Sequence, residues 1–102
     1  MPNEATHAVL STFNVDPARR DDQEFGLRNV IVPGVREAPG FVSGIWTRTT
    51  DGTKSTVLVA FSAEADAREF QASVQANASN QAAVGLTLVD VELVEVNAIA
   101  GA

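Results

Sequence analysis

The chain has no cysteine and no tyrosine, and a single tryptophan, histidine and methionine among 102 residues. Without cysteine there is no disulfide, no thiolate metal site and no sulfur nucleophile. The lone histidine, His7, has no partner set for a serine hydrolase or a histidine-rich metal centre, so no metal is expected. Basic residues are also scarce: seven Lys and Arg against 13 Asp and Glu give a net charge of −6. A nucleic-acid backbone needs clustered cations, so it is excluded as a partner. The Arg19-Arg20 pair is followed at once by Asp21-Asp22 and reads as a solvated helix face. No apolar run nears the roughly 18 residues needed to span a membrane. The N-terminal MPNEATHAVL lacks the basic-then-apolar pattern of a secretion signal, so a soluble, cytoplasmic protein is expected. Neither GxGxxG nor GxxxxGK[ST] occurs, and Gly34 and Gly40 read as helix-break and turn glycines.

At 45% hydrophobic and 20% charged residues, the chain is an ordinary globular domain spanning 1–102. A first strand is predicted over Thr6 to Val15. Asp16-Pro17 then starts a helix, with Asp as N-cap and Pro in the first turn, where its missing N–H costs nothing. Leu27, Ile31 and Val35 recur at four-residue spacing, flanked by Phe25 and Val32, and define an apolar face. Pro33 interrupts that pattern and should kink or restart the helix. Gly40 to Thr50 reads as a second strand, Asp51-Gly52 as a tight hairpin turn, and Lys54 to Phe61 as a third strand. Ser62 is placed as the N-cap of a second helix whose buried stripe is Ala67, Phe70, Val74 and Ala78. A last strand covers Leu86 to Val96. The order β-α-β-β-α-β is the ferredoxin-like α+β arrangement, a four-stranded antiparallel sheet with two helices on one face.

A sheet with helices on one side and water on the other should alternate between apolar and polar residues. These strands do not. Val9 and Phe13 oppose Ala8 and Leu10, Val57, Val59 and Phe61 oppose Leu58 and Ala60, and Phe41 and Ile45 oppose Val42 and Trp46. Two helices cover only one face, so a second copy of the sheet is the expected cover and a homodimer the expected assembly.

The segment Pro39 to Thr50, PGFVSGIWTRTT, carries the most specific signal: a helix end, a turn, and a strand bearing Trp46 and Arg48. With the βαββαβ order and the chain length, it resembles the dimeric α+β barrel superfamily, and within it the small proteins grouped with the antibiotic biosynthesis monooxygenases. The resemblance implies a pocket between sheet and helices in each subunit. Some such proteins oxidise polycyclic phenols to quinones with oxygen and no cofactor, through a pocket carrying Trp, Asn, Arg and often Tyr. Carried over, Trp46 would stack on an aromatic ring, Arg48 would hold a phenolate, and Asn14 would complete a catalytic set. Ser11 would add a hydrogen bond, Gly44 would leave room for a flat ligand beside Val42, and Phe61 would stand near where haem-degrading relatives carry a Trp. Those relatives also use a His on the second helix, which this chain lacks. The resemblance therefore implies a cofactor-free monooxygenase acting on an aromatic small molecule, with a non-catalytic binding or structural dimer as the alternative.

Overall fold

The alternating apolar run at His7–Val15 forms the first strand, β1, of a four-stranded sheet. A computed structural model describes residues 4–100. After β1 come a 3-10 turn (Pro17–Arg19), α1 (Arg20–Gly26), a π-helical turn (Leu27–Ile31) and α2 (Val32–Arg36). β2 (Phe41–Trp46), β3 (Lys54–Phe61), α3 (Glu64–Ala76), α4 (Ala78–Ala82) and β4 (Leu86–Glu95) follow. The strands pair antiparallel in the order β2-β3-β1-β4, so the fold is ferredoxin-like α+β. The two central strands hold the core: Val9, Phe13, Val57, Val59 and Phe61 are buried together with Ala67 of α3.

Register assigns the faces. Val9, Ser11 and Phe13 lie opposite Val59, Val57 and Ser55, and Gly44 and Trp46 oppose Val59 and Val57. All of these share the helix-covered side. The other side carries Leu10 beside Leu58 and Leu58 beside Ile45, with Ile45 61% and Leu58 39% exposed. The second apolar face expected from the strand sequences is present.

Asp16 caps the 3-10 turn, its Oδ1 accepting from the Ala18 N–H at 3.0 Å. The helix restarts around Pro33 as a second short helix, one of the two outcomes expected of it. The backbone widens before it, and the Val32 N–H donates to the Leu27 carbonyl five residues back. Pro33 then falls in the first turn of α2, where no N–H is required of it. The Asn29 side-chain amide donates to the Phe25 carbonyl at 2.8 Å, satisfying a group near the register change.

Two local expectations are corrected. Ala63, with extended backbone, precedes α3, and no side chain caps that helix, so Ser62 is not its N-cap. The Asp51-Gly52 turn is looser than a tight hairpin, since only Gly52 takes a positive φ (79°). Asp51 instead organises the loop as an acceptor. Its Oδ1 receives the Thr49 and Thr53 hydroxyls at 2.8 and 2.7 Å and the Thr53 N–H at 3.0 Å. These bonds, the Thr53 side chain first, hold its pKa down to about 2 from 3.8. A depressed carboxylate stabilises the fold above its unfolded pKa and loses that contribution as pH falls through the folded value. The difference in melting temperature between wild type and Asp51→Ala is thus expected to be full above about pH 4 and to narrow toward pH 2, as thermal melts across that range would show. Among the described residues no helix is long and apolar enough to cross a membrane.

Candidate functional site

The run from α1 through the π turn to α2 covers the sheet only loosely, with Val35 packed against the core. Gln23 is its one buried side chain; none of Leu27 to Arg36 is buried. Beneath it lies a cavity of about 930 Å³, of the size that accepts drug-sized ligands. Its floor is the sheet face, with Ser11, Phe13, Trp46, Arg48, Ser55 and Val57. Leu27, Val30, Ile31 and Val35 form one wall, and Phe70, Val74, Asn77 and Gln81 of α3 and α4 the other. Asp22, Gln23 and Glu24 add charge and polarity at the start of the helical run. The apolar stripe read from the helix sequence is real, but it faces a void. Val30, on the same wall, is 63% exposed.

Arg48 is the chemically distinctive group. Its side chain is 17% exposed, Nη2 donates to Gln23 Oε1 at 3.0 Å, and the same nitrogen lies 4.0 Å from Glu24 Oε2. Nη1 is buried with no hydrogen-bond partner. A buried guanidinium N–H without an acceptor is costly, and an oxygen brought by a ligand would relieve that cost.

Gln23 sets this geometry. Its Nε2 donates to the Asp16 carbonyl at 3.0 Å and to the Val84 carbonyl at 2.9 Å, which leaves Oε1 for Arg48. It ties the start of the helical run to the entry of β4 and fixes the guanidinium between them. The sequence reading passed it over. The signal was there: Gln23 precedes Leu27, Ile31 and Val35 at the same four-residue spacing, a polar residue on an apolar stripe.

Of the residues expected at the site, Trp46, Arg48 and Ser11 line the cavity, and Asn14, Val42, Gly44 and Phe61 do not. Asn14 pairs with Lys54 and Thr87, so strand alternation turns it to the opposite face from Ser11 and Phe13, and it is exposed. Val42 falls at an irregularity in the β2–β3 register and lines a separate cleft with Val96 and Ile99. A Cβ on Gly44 would sit 2.8 Å from two atoms of the Trp46 ring, so Gly44 makes room for the indole, not for a ligand. Phe61 is fully buried, its ring 5.3 Å from that of Phe70. His7 lies outside the cavity, with Nε2 3.7 Å from Glu64 Oε1.

No protein-family model matches the chain, and no curated protein matches it either. Solved structures do. MupZ from Pseudomonas fluorescens superposes with a TM-score of 0.70 at 12% identity, over 88% of this chain and 71% of that one. A monooxygenase of Streptomyces coelicolor, in complex with nanaomycin D, gives 0.63 at 22% identity over 96% and 91%. The heme-degrader MhuD from Mycobacterium tuberculosis, with two hemes bound in its active site, gives 0.70 at 16% over 93% and 99%. The chain shares the ferredoxin-like α+β fold of these structures, as it does that of a putative antibiotic biosynthesis monooxygenase from Chloroflexus aurantiacus. Its cavity is poorly matched to haem. Among the described residues none that lines it is a His, Cys, Met or Tyr, so none of these offers an axial ligand.

Proposed function

We propose that the protein is a cofactor-independent monooxygenase that oxidises an aromatic or polycyclic phenol with molecular oxygen. One observation carries this reading: the buried Arg48 guanidinium, with Nη1 still lacking an acceptor, forms part of the floor of an otherwise largely apolar cavity beside Trp46. In this reading the ring of the substrate stacks on Trp46, and Arg48, whose Nη1 is closed off as it stands, turns to donate to the substrate oxygen, with Ser11 beside it. Arg48 stabilises negative charge as it develops on the phenolic oxygen, which eases electron transfer to oxygen. The balance needs no further reductant: one oxygen atom enters the ring to give a quinone, and the other leaves as water with two hydrogens from the substrate.

Purified protein with hydroxynaphthalenes and hydroxyanthracenes, followed by oxygen uptake and Trp46 fluorescence, tests this. Saturable quenching with oxygen consumption is expected for at least one. Arg48→Ala is expected to lower turnover on the order of 100-fold, the usual effect of removing one donor to a developing oxyanion. Its stability should fall by about 1–3 kcal/mol, because Gln23 Oε1 loses its donor. Quenching without oxygen uptake would instead support a non-catalytic binding dimer, a reading favoured by the absence of Tyr and His from the cavity.

The assembly proposed for either reading is a homodimer joined through the open sheet face, because Ile45, Leu58 and Leu10 lie side by side there. Ile45→Glu is expected to shift the sedimentation coefficient from that of a dimer to that of a monomer. An unchanged value would place the contact elsewhere.

A further inference from the structure

Most glycines among the described residues have a reason in the fold. Gly40, Gly52 and Gly85 take positive φ, and Gly44 makes way for the Trp46 ring. Gly26 and Gly34 have neither reason. Gly26 is helical, with φ −62° and ψ −41°, and Gly34 lies inside α2 without a positive φ. Beyond its chain neighbours and its own helical backbone, a Cβ built on either would meet no protein atom within 4 Å. Alanine would fit at both positions, and a helix favours alanine over glycine.

The cavity supplies what the fold does not. Gly26, Val30 and Gly34 recur at four-residue spacing, so they form one row along the helical run, and all three line the cavity. The row runs beside that of Leu27, Ile31 and Val35, which line it too. Val30 shows where side chains of this row go, since it lines the cavity while staying 63% exposed, at the open margin. A methyl group on Gly26 or Gly34 would enter the same margin, one turn to either side. Without it, bare helical backbone flanks Val30 with a recess on each side. At a rise of about 1.5 Å per residue, the two recesses lie about 12 Å apart.

We infer that Gly26 and Gly34 are specificity-determining residues: their missing side chains admit the long edge of an elongated, linearly fused aromatic system against the helical backbone. Three rings fused in line reach from one recess to the other, and two do not. The cavity volume of about 930 Å³ agrees with a ligand of that size, being near the top of the range of about 300–1,000 Å³ for ligand pockets. The length rule rests on the reading of this cavity as a site for aromatic ligands and is independent of the Arg48 guanidinium.

2-Hydroxyanthracene and 2-hydroxynaphthalene form the test pair, since they share the phenol and differ by one ring. Equilibrium dialysis under nitrogen, which prevents turnover, measures their binding to the wild type and to the double variant Gly26→Ala, Gly34→Ala. The wild type is expected to bind the anthracene compound at least about tenfold more tightly. In the double variant its affinity should fall at least about tenfold through crowding, with the naphthalene compound within about threefold of wild type. The melting temperature of the same variant should rise by about 4 °C or more, because both positions accept alanine without strain. Undiminished binding of the anthracene compound overturns the inference. So does an equal loss for both compounds, which would mean that the glycines act through motion of the run and not through space. A fall in melting temperature also overturns it, since the glycines would then serve the fold. If only the naphthalene compound binds the wild type, the length rule falls alone; if neither binds, the ligand-site reading falls with it.

Discussion

Phe61→Ala is expected to remove about 3–5 kcal/mol of stability, the range for deleting a buried aromatic ring. That is a large share of what a domain of this size commands. The side chain is fully buried at the end of β3 and belongs to the same cluster as Val9, Val59 and Ala67, with its ring tilted 44° against Phe70. It also lies opposite His7 of β1 and Phe41 of β2, at the point where three strands meet. The surrounding strands are tied by ladder bonds and cannot collapse into the space the ring leaves, so the upper part of the range applies. Thermal denaturation should show a fall in melting temperature of at least about 15 °C. A fall below about 5 °C would mean that this end of the sheet repacks. The same variant separates a core residue from a ligand contact, because Phe61 does not line the cavity. At a temperature where it remains folded, aromatic ligands should bind with nearly wild-type affinity.

The contrast between Phe61 and Trp46 shows what could be read from the sequence and what could not. Both are aromatic residues on strands, and strand periodicity alone places both on the helix-covered face. Only the standing of the helical run decides their roles. Phe61 meets Ala67 and Phe70 of α3, which packs down on the sheet, whereas Trp46 faces the gap under Leu27, Ile31 and Val35. Nothing local in the sequence states that the first helical run covers the sheet loosely while the second packs down on it. The order of elements, the extent of β3, the Asp16 cap and the two apolar faces of the sheet were legible, because each follows from a short-range rule of alternation, capping or spacing.

Parity was available and not applied to Asn14, which differs from Ser11 by an odd number of residues and so lies on the other face. Gly44 misled for a different reason. A strand glycine does mark a close approach, but here the approaching group is the indole two residues on, on the same face. The π turn was out of reach. It depends on how the run answers Pro33 while its apolar side faces a void, and neither condition is visible in a window of residues.

Gly85→Ala is the substitution expected to damage fold and site together. Gly85 closes the chain into β4 at φ 83°, a conformation that costs an alanine about 1–2 kcal/mol. The added Cβ would stand 2.9 Å from Asp16 Cβ and 3.1 Å from Gln23 Nε2. These neighbours cannot easily retreat. The Asp16 N–H donates to the Gly85 carbonyl at 2.9 Å, and Gln23 Nε2 is committed to the carbonyls of Asp16 and Val84. Strain and crowding together predict a loss of about 3 kcal/mol, read as a drop in melting temperature of about 10 °C or more. Relief of the clash must move Gln23, and Gln23 Oε1 is the acceptor that holds Arg48 Nη2. Ligand affinity at the cavity should therefore fall with stability, although Gly85 is not among its lining residues. Gln23→Leu makes the decisive companion. It leaves the backbone at Gly85 unstrained but releases Arg48, so it should reproduce the loss of affinity, with a stability loss of about 1–3 kcal/mol for each buried group that loses its partner. If Gly85→Ala unfolds the protein more readily yet binds aromatic ligands as wild type does, the guanidinium is positioned by something other than Gln23.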